Sequence, residues 1–176
     1  MKALLTISIL AIGLTAATWV TGTWTLDKEN VKINWALGDK TGTFNGLEAE
    51  IHFDPAFPAN AKIRAVIDVT SQHTGIKDLD NHLQTVDFFE ADKYPVIVFE
   101  STSVGVGDSG FVAKGMLTVK DTTIEVEIPF TFEQTDAGGL FSGTLALNTG
   151  QLHVSKPTGV SEPNCRVTIE VPVVKE

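Results

Sequence analysis

Between Thr123 and Phe132 every second residue is apolar. Ile124, Val126, Ile128, Phe130 and Phe132 share one face, and Thr123, Glu125, Glu127, Pro129 and Thr131 share the other. A period of two belongs to a strand that is dry on one side and wet on the other. The same alternation runs through Lys62 to Val69, through Leu47 to Phe53 with Glu48, Glu50 and His52 outward, and through Val167 to Val173. Pro129 and Pro172 fall on the polar register, which predicts imperfect pairing at an edge or a bulge. Turn residues at Gly38-Asp39-Lys40, Asp54-Pro55, Gly107 to Gly110, Lys120-Asp121 and Asp136 to Gly139 leave hairpin-length connections, hence an antiparallel meander. About eight one-sided strands are too many for an open twisted sheet, and the chain has too few helices to cover one. Closure into a barrel removes both difficulties, with an interior just filled by side chains or just wide enough for one slender ligand.

One stretch interrupts this pattern. From Asp80 to Phe89 charges mix with Leu83, Val86, Phe88 and Phe89 at helical spacing, Tyr94-Pro95 stops the helix, and Val96 to Ser101 returns to alternation. A short, partly apolar helical insert between two strands of a barrel is expected to cover an open end. The long irregular segments Ser71 to Tyr94 and Gly150 to Asn164 both need somewhere to pack.

The 176 residues suit a single domain. Met1-Lys2, the apolar run Ala3 to Leu14 and the small residues Thr15-Ala16-Ala17 have the organisation of a secretory signal, so residues 1–17 are expected to be removed and 18–176 to form one barrel domain, periplasmic or secreted. That run is shorter than the ~20 apolar residues of a spanning helix, and no stable membrane insertion is expected. An outer-membrane barrel would put its apolar face outward; Val174-Lys175-Glu176 lacks a terminal aromatic, and paired aromatic girdles are missing. With a net charge of -9 and scattered basic residues, the sequence gives nucleic acid nothing to bind. The single cysteine, Cys165, reads as a small strand residue.

Catalytic patterns are missing from the sequence: no Gly-x-Ser-x-Gly elbow, no phosphate-cradling glycine loop, and no close metal pair among His52, His73, His82 and His153. His82 beside Asp78 and Asp80 reads as a solvated helix turn capped by an aspartate. Neither an enzyme nor a cofactor is expected. Gly42, Gly46, Gly115 and Gly143 within strands mark bulges, tight curvature or close backbone approach, and for the two around Phe44 the equal alternative is room for a ligand.

Several motifs together resemble the YceI-like family of exported, lipocalin-like polyisoprenoid-binding proteins. They are Trp24-Thr25-Leu26-Asp27, Val31 to Trp35, Gly42 to Gly46, Asp68 to Ser71 with Thr74, Asp80 to Leu83, Asp87-Phe88-Phe89, Tyr94-Pro95, Phe99-Glu100-Ser101 and Gly115 to Val119 with Thr122-Thr123. The resemblance spans nearly the whole chain after residue 17. It implies an eight-stranded lipocalin-like barrel and the sequestration or carriage of an isoprenoid, quinone or fatty-acid-like lipid. The chain departs from the family pattern at Leu147 to His153, which has no arginine where a later strand of the family often carries an Asn-Arg pair. Together with the acidic balance, that implies a neutral head group such as a quinone or an amide, or the single carboxyl of a free fatty acid, rather than a pyrophosphate.

The residues expected to line the tunnel are Trp35, Phe44, Ile67, Phe88, Phe89, Phe99, Val126, Ile128, Phe130, Phe141, Leu145 and Leu147. Periodicity identifies a dry face but not whether the space behind it is empty. The competing reading is therefore a self-filled barrel acting as a stress-related interaction module. Pairing through an exposed strand edge would make either form a homodimer.

Overall fold

Two-residue turns set the hairpins. Gly38, with φ +60°, and Asp39 join β2 (Lys32–Leu37) to β3 (Lys40–Phe44), and Lys120-Asp121 join β8 (Gly110–Val119) to β9 (Thr122–Gln134). The structure, a computed structural model, describes residues 23–155 and 162–175. The signal segment expected at 1–17 lies outside the described residues. The remaining strands are β1 (Thr23–Leu26), β4 (Leu47–His52), β5 (Lys62–Asp68), β6 (Gln72–His73), β7 (Val96–Gly107), β10 (Gly138–Leu147) and β11 (Cys165–Lys175), with one helix, α1 (Lys77–Leu83).

Eight strands close a ring in the order β1-β4-β5-β7-β8-β9-β10-β11, and β11 pairs back onto β1. This is the antiparallel barrel that the alternation predicts. It has eleven strand segments because three neighbouring staves are broken. β1 and β2 both pair with β11, β4 and β3 follow beside them, and β5 is continued by β6, which pairs with β3. Each break has a local cause. Asp27 accepts a hydrogen bond from Asn30 Nδ2 (2.8 Å), and Asp68 accepts from Thr70 N (2.8 Å) and Thr70 Oγ1 (2.7 Å). Gly46 sits so close that a Cβ there would stand 2.9 Å from Asp68 Cβ and from Ser71 Cβ.

Both prolines fall where a ladder stops. β11 changes partner between Glu170, which faces Lys32, and Val173, which faces Leu26, so Pro172 between them owes no bond on that side. Its carbonyl still accepts from Asp27 N at 3.0 Å. β9 and β10 pair only as far as Phe130 with Gly143, and Pro129 is the next residue. Beyond that point the two strands part.

The apolar faces turn inward and the charges outward. Exposed ion pairs such as Lys32–Glu170, Arg64–Glu100 and Lys114–Glu127 link neighbouring strands on the outer surface. A transmembrane barrel has the reverse arrangement. Among the described residues no helix is long and apolar enough to cross a membrane.

Candidate functional site: a floored and covered apolar cavity

The end of the barrel where β1 meets the last residues of β11 is sealed by aromatic rings. Phe53, one residue past β4 and 1% exposed, stands edge-on to Phe111 (5.0 Å between centroids), Phe130 (5.5 Å), Phe132 (5.3 Å) and Phe141 (5.4 Å). Trp24 packs edge-on against Phe132 at 5.0 Å and donates its indole N–H to the Phe53 carbonyl at 2.8 Å, which fixes the centre of the cluster. Strand alternation delivers each ring: Phe111, Phe130, Phe132 and Phe141 are inward positions of β8, β9 and β10 that meet across the ladders.

Beyond this floor the barrel is not filled by its own side chains. It encloses a cavity of about 540 Å³ whose wall is almost entirely carbon. Of the residues expected on the wall, Trp35, Phe44, Ile67, Phe88, Phe89, Phe99, Ile128, Phe130, Phe141, Leu145 and Leu147 are on it. Val126 is buried but does not reach the cavity. It lies in the half of β9 that has left β10, and the turn after β10 supplies Leu152 and Val154 to the wall instead. The sequence reading also missed Ile33, Ile51, Ile63, Leu117 and Val171, which obey the same alternation, and Leu79 and Leu83 of α1.

Of the two readings of Gly42 and Gly46, close approach holds and room for a ligand does not. A Cβ on Gly42 would stand 2.5 Å from the Trp35 ring, so this glycine makes room for the indole, while Gly46 serves the backbone break.

Two segments cover the other end. α1 presents Leu79, His82 and Leu83 to the cavity, and the turns after it present Phe88 and Phe89. Phe89 meets Phe44 edge-on at 5.9 Å, and the His82 ring meets Phe88 at 4.8 Å. The helix is shorter than its apolar spacing suggests. It ends at Leu83, where Gln84 N and Thr85 N turn back to Asn81 O and His82 O and Thr85 Oγ1 also donates to His82 O (2.8 Å). Val86 is therefore not on a buried helix face and is 67% exposed. Tyr94-Pro95 does not terminate α1; it leads the chain into β7, and the Pro95 carbonyl accepts from Val69 N at 2.9 Å.

Nor does an aspartate cap the helix: Ile76 occupies the N-cap position without a side-chain bond. Asp80 instead pins α1 to the segment before it. It accepts from Thr74 Oγ1 (2.6 Å), Thr74 N (2.7 Å), His73 Nδ1 (3.0 Å) and Gln72 Nε2 (3.1 Å). The Thr74 hydroxyl, more than any other neighbour, holds the Asp80 carboxyl below its ordinary value. A carboxylate favoured in this way stabilises the fold above the ordinary carboxylate range and loses that contribution as pH falls below it. The stability lost in Asp80→Asn is thus expected to shrink below about pH 4 in a pH series of thermal melts.

Lys120 ties the two cover segments together. Its ammonium, on a side chain 9% exposed, donates to Phe88 O (2.8 Å), His153 O (3.3 Å) and Val86 O (3.5 Å) and lies 3.9 Å from Glu90 Oε2. Glu90, Lys120 and His153 are also the non-glycine residues with positive φ (51°, 56° and 55°) among those described. These three positive-φ positions among the described residues thus converge on one cation. Beside it Thr122 Oγ1 meets His153 Nδ1 at 3.2 Å.

Besides Trp35, whose indole N–H is buried without a hydrogen-bond partner, the polar residues on the wall are Lys40, His82, Thr149 and Cys165. Thr149 belongs to the stretch without arginine, and its hydroxyl is engaged by Ser155 Oγ (2.8 Å) and Asn164 Oδ1 (3.1 Å). Burial pushes the Cys165 thiol up. No cluster of three or more metal-ligating side chains occurs among the described residues.

The model of the YceI-like domain matches residues 24–174. A UPF0312 protein of Yersinia enterocolitica is 28% identical over 151 residues, 78% of this chain and 77% of its own. Among solved structures, BcnA of Burkholderia cenocepacia is 25% identical, with a TM-score of 0.74 over 85% of this chain and 98% of that one. A polyisoprenoid-binding domain from Saccharophagus degradans shares the fold at 13% identity, with a TM-score of 0.65 over 88% of this chain and 99% of its own. The chain belongs to the YceI-like family.

Proposed function

We propose that the protein is an exported carrier or scavenger that holds one single-chain amphiphile, an isoprenoid-, quinone- or fatty-acid-like lipid, with its tail in the cavity and its head group beneath the cover. The observation that carries this reading is the enclosed volume of about 540 Å³ behind an almost wholly apolar wall. At about 30 Å³ per water-sized group it has room for roughly eighteen such groups, which suits one hydrocarbon chain and not two. Each buried methylene contributes about 0.8 kcal/mol, so sixteen give about 13 kcal/mol. Association costs at the lower end of their range leave roughly micromolar affinity or better. Among the polar groups near the cover, Lys40 and His82 are exposed at the rim and suit a head group that accepts hydrogen bonds.

Periplasmic or secreted location follows from the expected signal at residues 1–17. Lys40 to Gly42 of β3 extend past the pairing with β6 and offer an open edge through which two copies would pair.

The test is titration with a fluorescent eighteen-carbon polyene fatty acid. Saturation at one probe per chain is expected, with displacement by a short-tailed quinone or an alkyl amide but not by diacyl phosphatidylcholine. Ala65→Trp, which places an indole in the cavity, is expected to weaken the probe at least 30-fold while circular dichroism is unchanged. No binding by the wild type, or equal binding by a folded Ala65→Trp, would sink the reading.

A further inference from the structure

The two ends of the cavity differ in kind. The floor is a cluster of interlocked rings in which Phe53 touches four others, and its carbonyl is held by Trp24. Phe130 and Phe141 form its upper surface, 5.9 Å apart, and both face the cavity. Edge-to-face aromatic pairs favour defined geometry, and close-packed rings do not yield to an advancing chain end. The opposite end is made of turns and a two-turn helix, with His82 and Lys40 exposed at its rim.

Resting on the lipid-carrier reading, we propose that the Phe53-centred floor is a chain-length gauge, with Phe130 and Phe141 as the specificity-determining residues that the terminal methyl group meets. A tail shorter than the cavity leaves apolar volume unfilled. A longer one pushes its last carbons, or its head group, out past the cover into water, where they add no buried surface. Affinity therefore rises with chain length only up to the depth that the rings set.

The experiment is displacement of the fluorescent probe by saturated fatty acids of ten to twenty-four carbons. For the wild type, affinity should climb about fourfold per added methylene. The climb should break to a plateau near roughly eighteen carbons. Substituting both floor rings, Phe130→Leu with Phe141→Leu, should move the break about two carbons longer and leave the slope below it unchanged. Ala113 lies on the wall one inward position above Phe111 of the floor cluster, so Ala113→Leu should move the break about three carbons shorter. The two variants push in opposite directions, so lower stability in either one cannot imitate the pattern, and thermal melts confirm that each is folded. A break at the same length in all three proteins, or a climb with no break, overturns the gauge while leaving lipid binding intact. Absence of binding at every chain length overturns the carrier reading itself.

Discussion

Phe53→Ala is expected to cost about 3–5 kcal/mol of folding stability, the range for removing a fully buried phenyl group. In a domain of this size each kcal/mol lowers Tm by roughly 2–4 °C, so the melt should fall by about 6–20 °C. The loss is large because the ring stands edge-on to four others, all within 5.5 Å, and no neighbour can collapse into the gap without breaking its own ring contacts. Phe57, four residues later and 50% exposed, is the control. Its replacement by alanine should stay within about 0.5 kcal/mol. Calorimetry on the two variants checks the claim, and equal losses would remove Phe53 from the centre of the fold.

Lys120→Met is the second. Hydrogen bonds to a charged group contribute about 1.5–3 kcal/mol, and this substitution leaves the Phe88 and His153 carbonyls without their donor. The cost should appear as a local loosening. Amide exchange in 83–91 and 149–154 should speed up by at least tenfold, that in the β8–β9 ladder should stay slow, and a bound probe should leave faster. Lys120→Gly separates the cation from the turn, because glycine accepts φ 56° without penalty yet cannot tie the cover. It should loosen the cover as the methionine does. A glycine variant with wild-type exchange would mean that Lys120 serves the turn and not the closure.

The barrel was legible because period-two alternation survives in nearly every stave. Even Pro129 and Pro172 marked real interruptions, one where β10 departs and one where β11 changes partner. What stayed hidden depends on distance in sequence. Lys120 reads as an ordinary turn residue, and its partners lie about thirty residues away on either side. Leu152 and Val154 sit in an irregular segment, and only the parting of β9 from β10 gives them a place in the wall. The two readings of the glycines beside Phe44 stayed open for a related reason: the space each leaves is taken by a side chain that sequence cannot locate, Trp35 over Gly42 and Ser71 against Gly46. The helix was read as too long because Phe88 and Phe89 hold the expected spacing while lying on turns that bring them to the same cavity. Emptiness itself has no signature in a pattern of faces, since it depends on summed side-chain volumes across the ring.

That emptiness is the centre of the account, and native mass spectrometry tests it most directly. The full chain, expressed with its N-terminal segment and recovered without detergent, should carry one lipid of a single chain per protein. Ala65→Trp recovered in the same way should carry none. A wild-type protein that flies at its bare mass and takes up no single-chain lipid when one is offered would contradict the account.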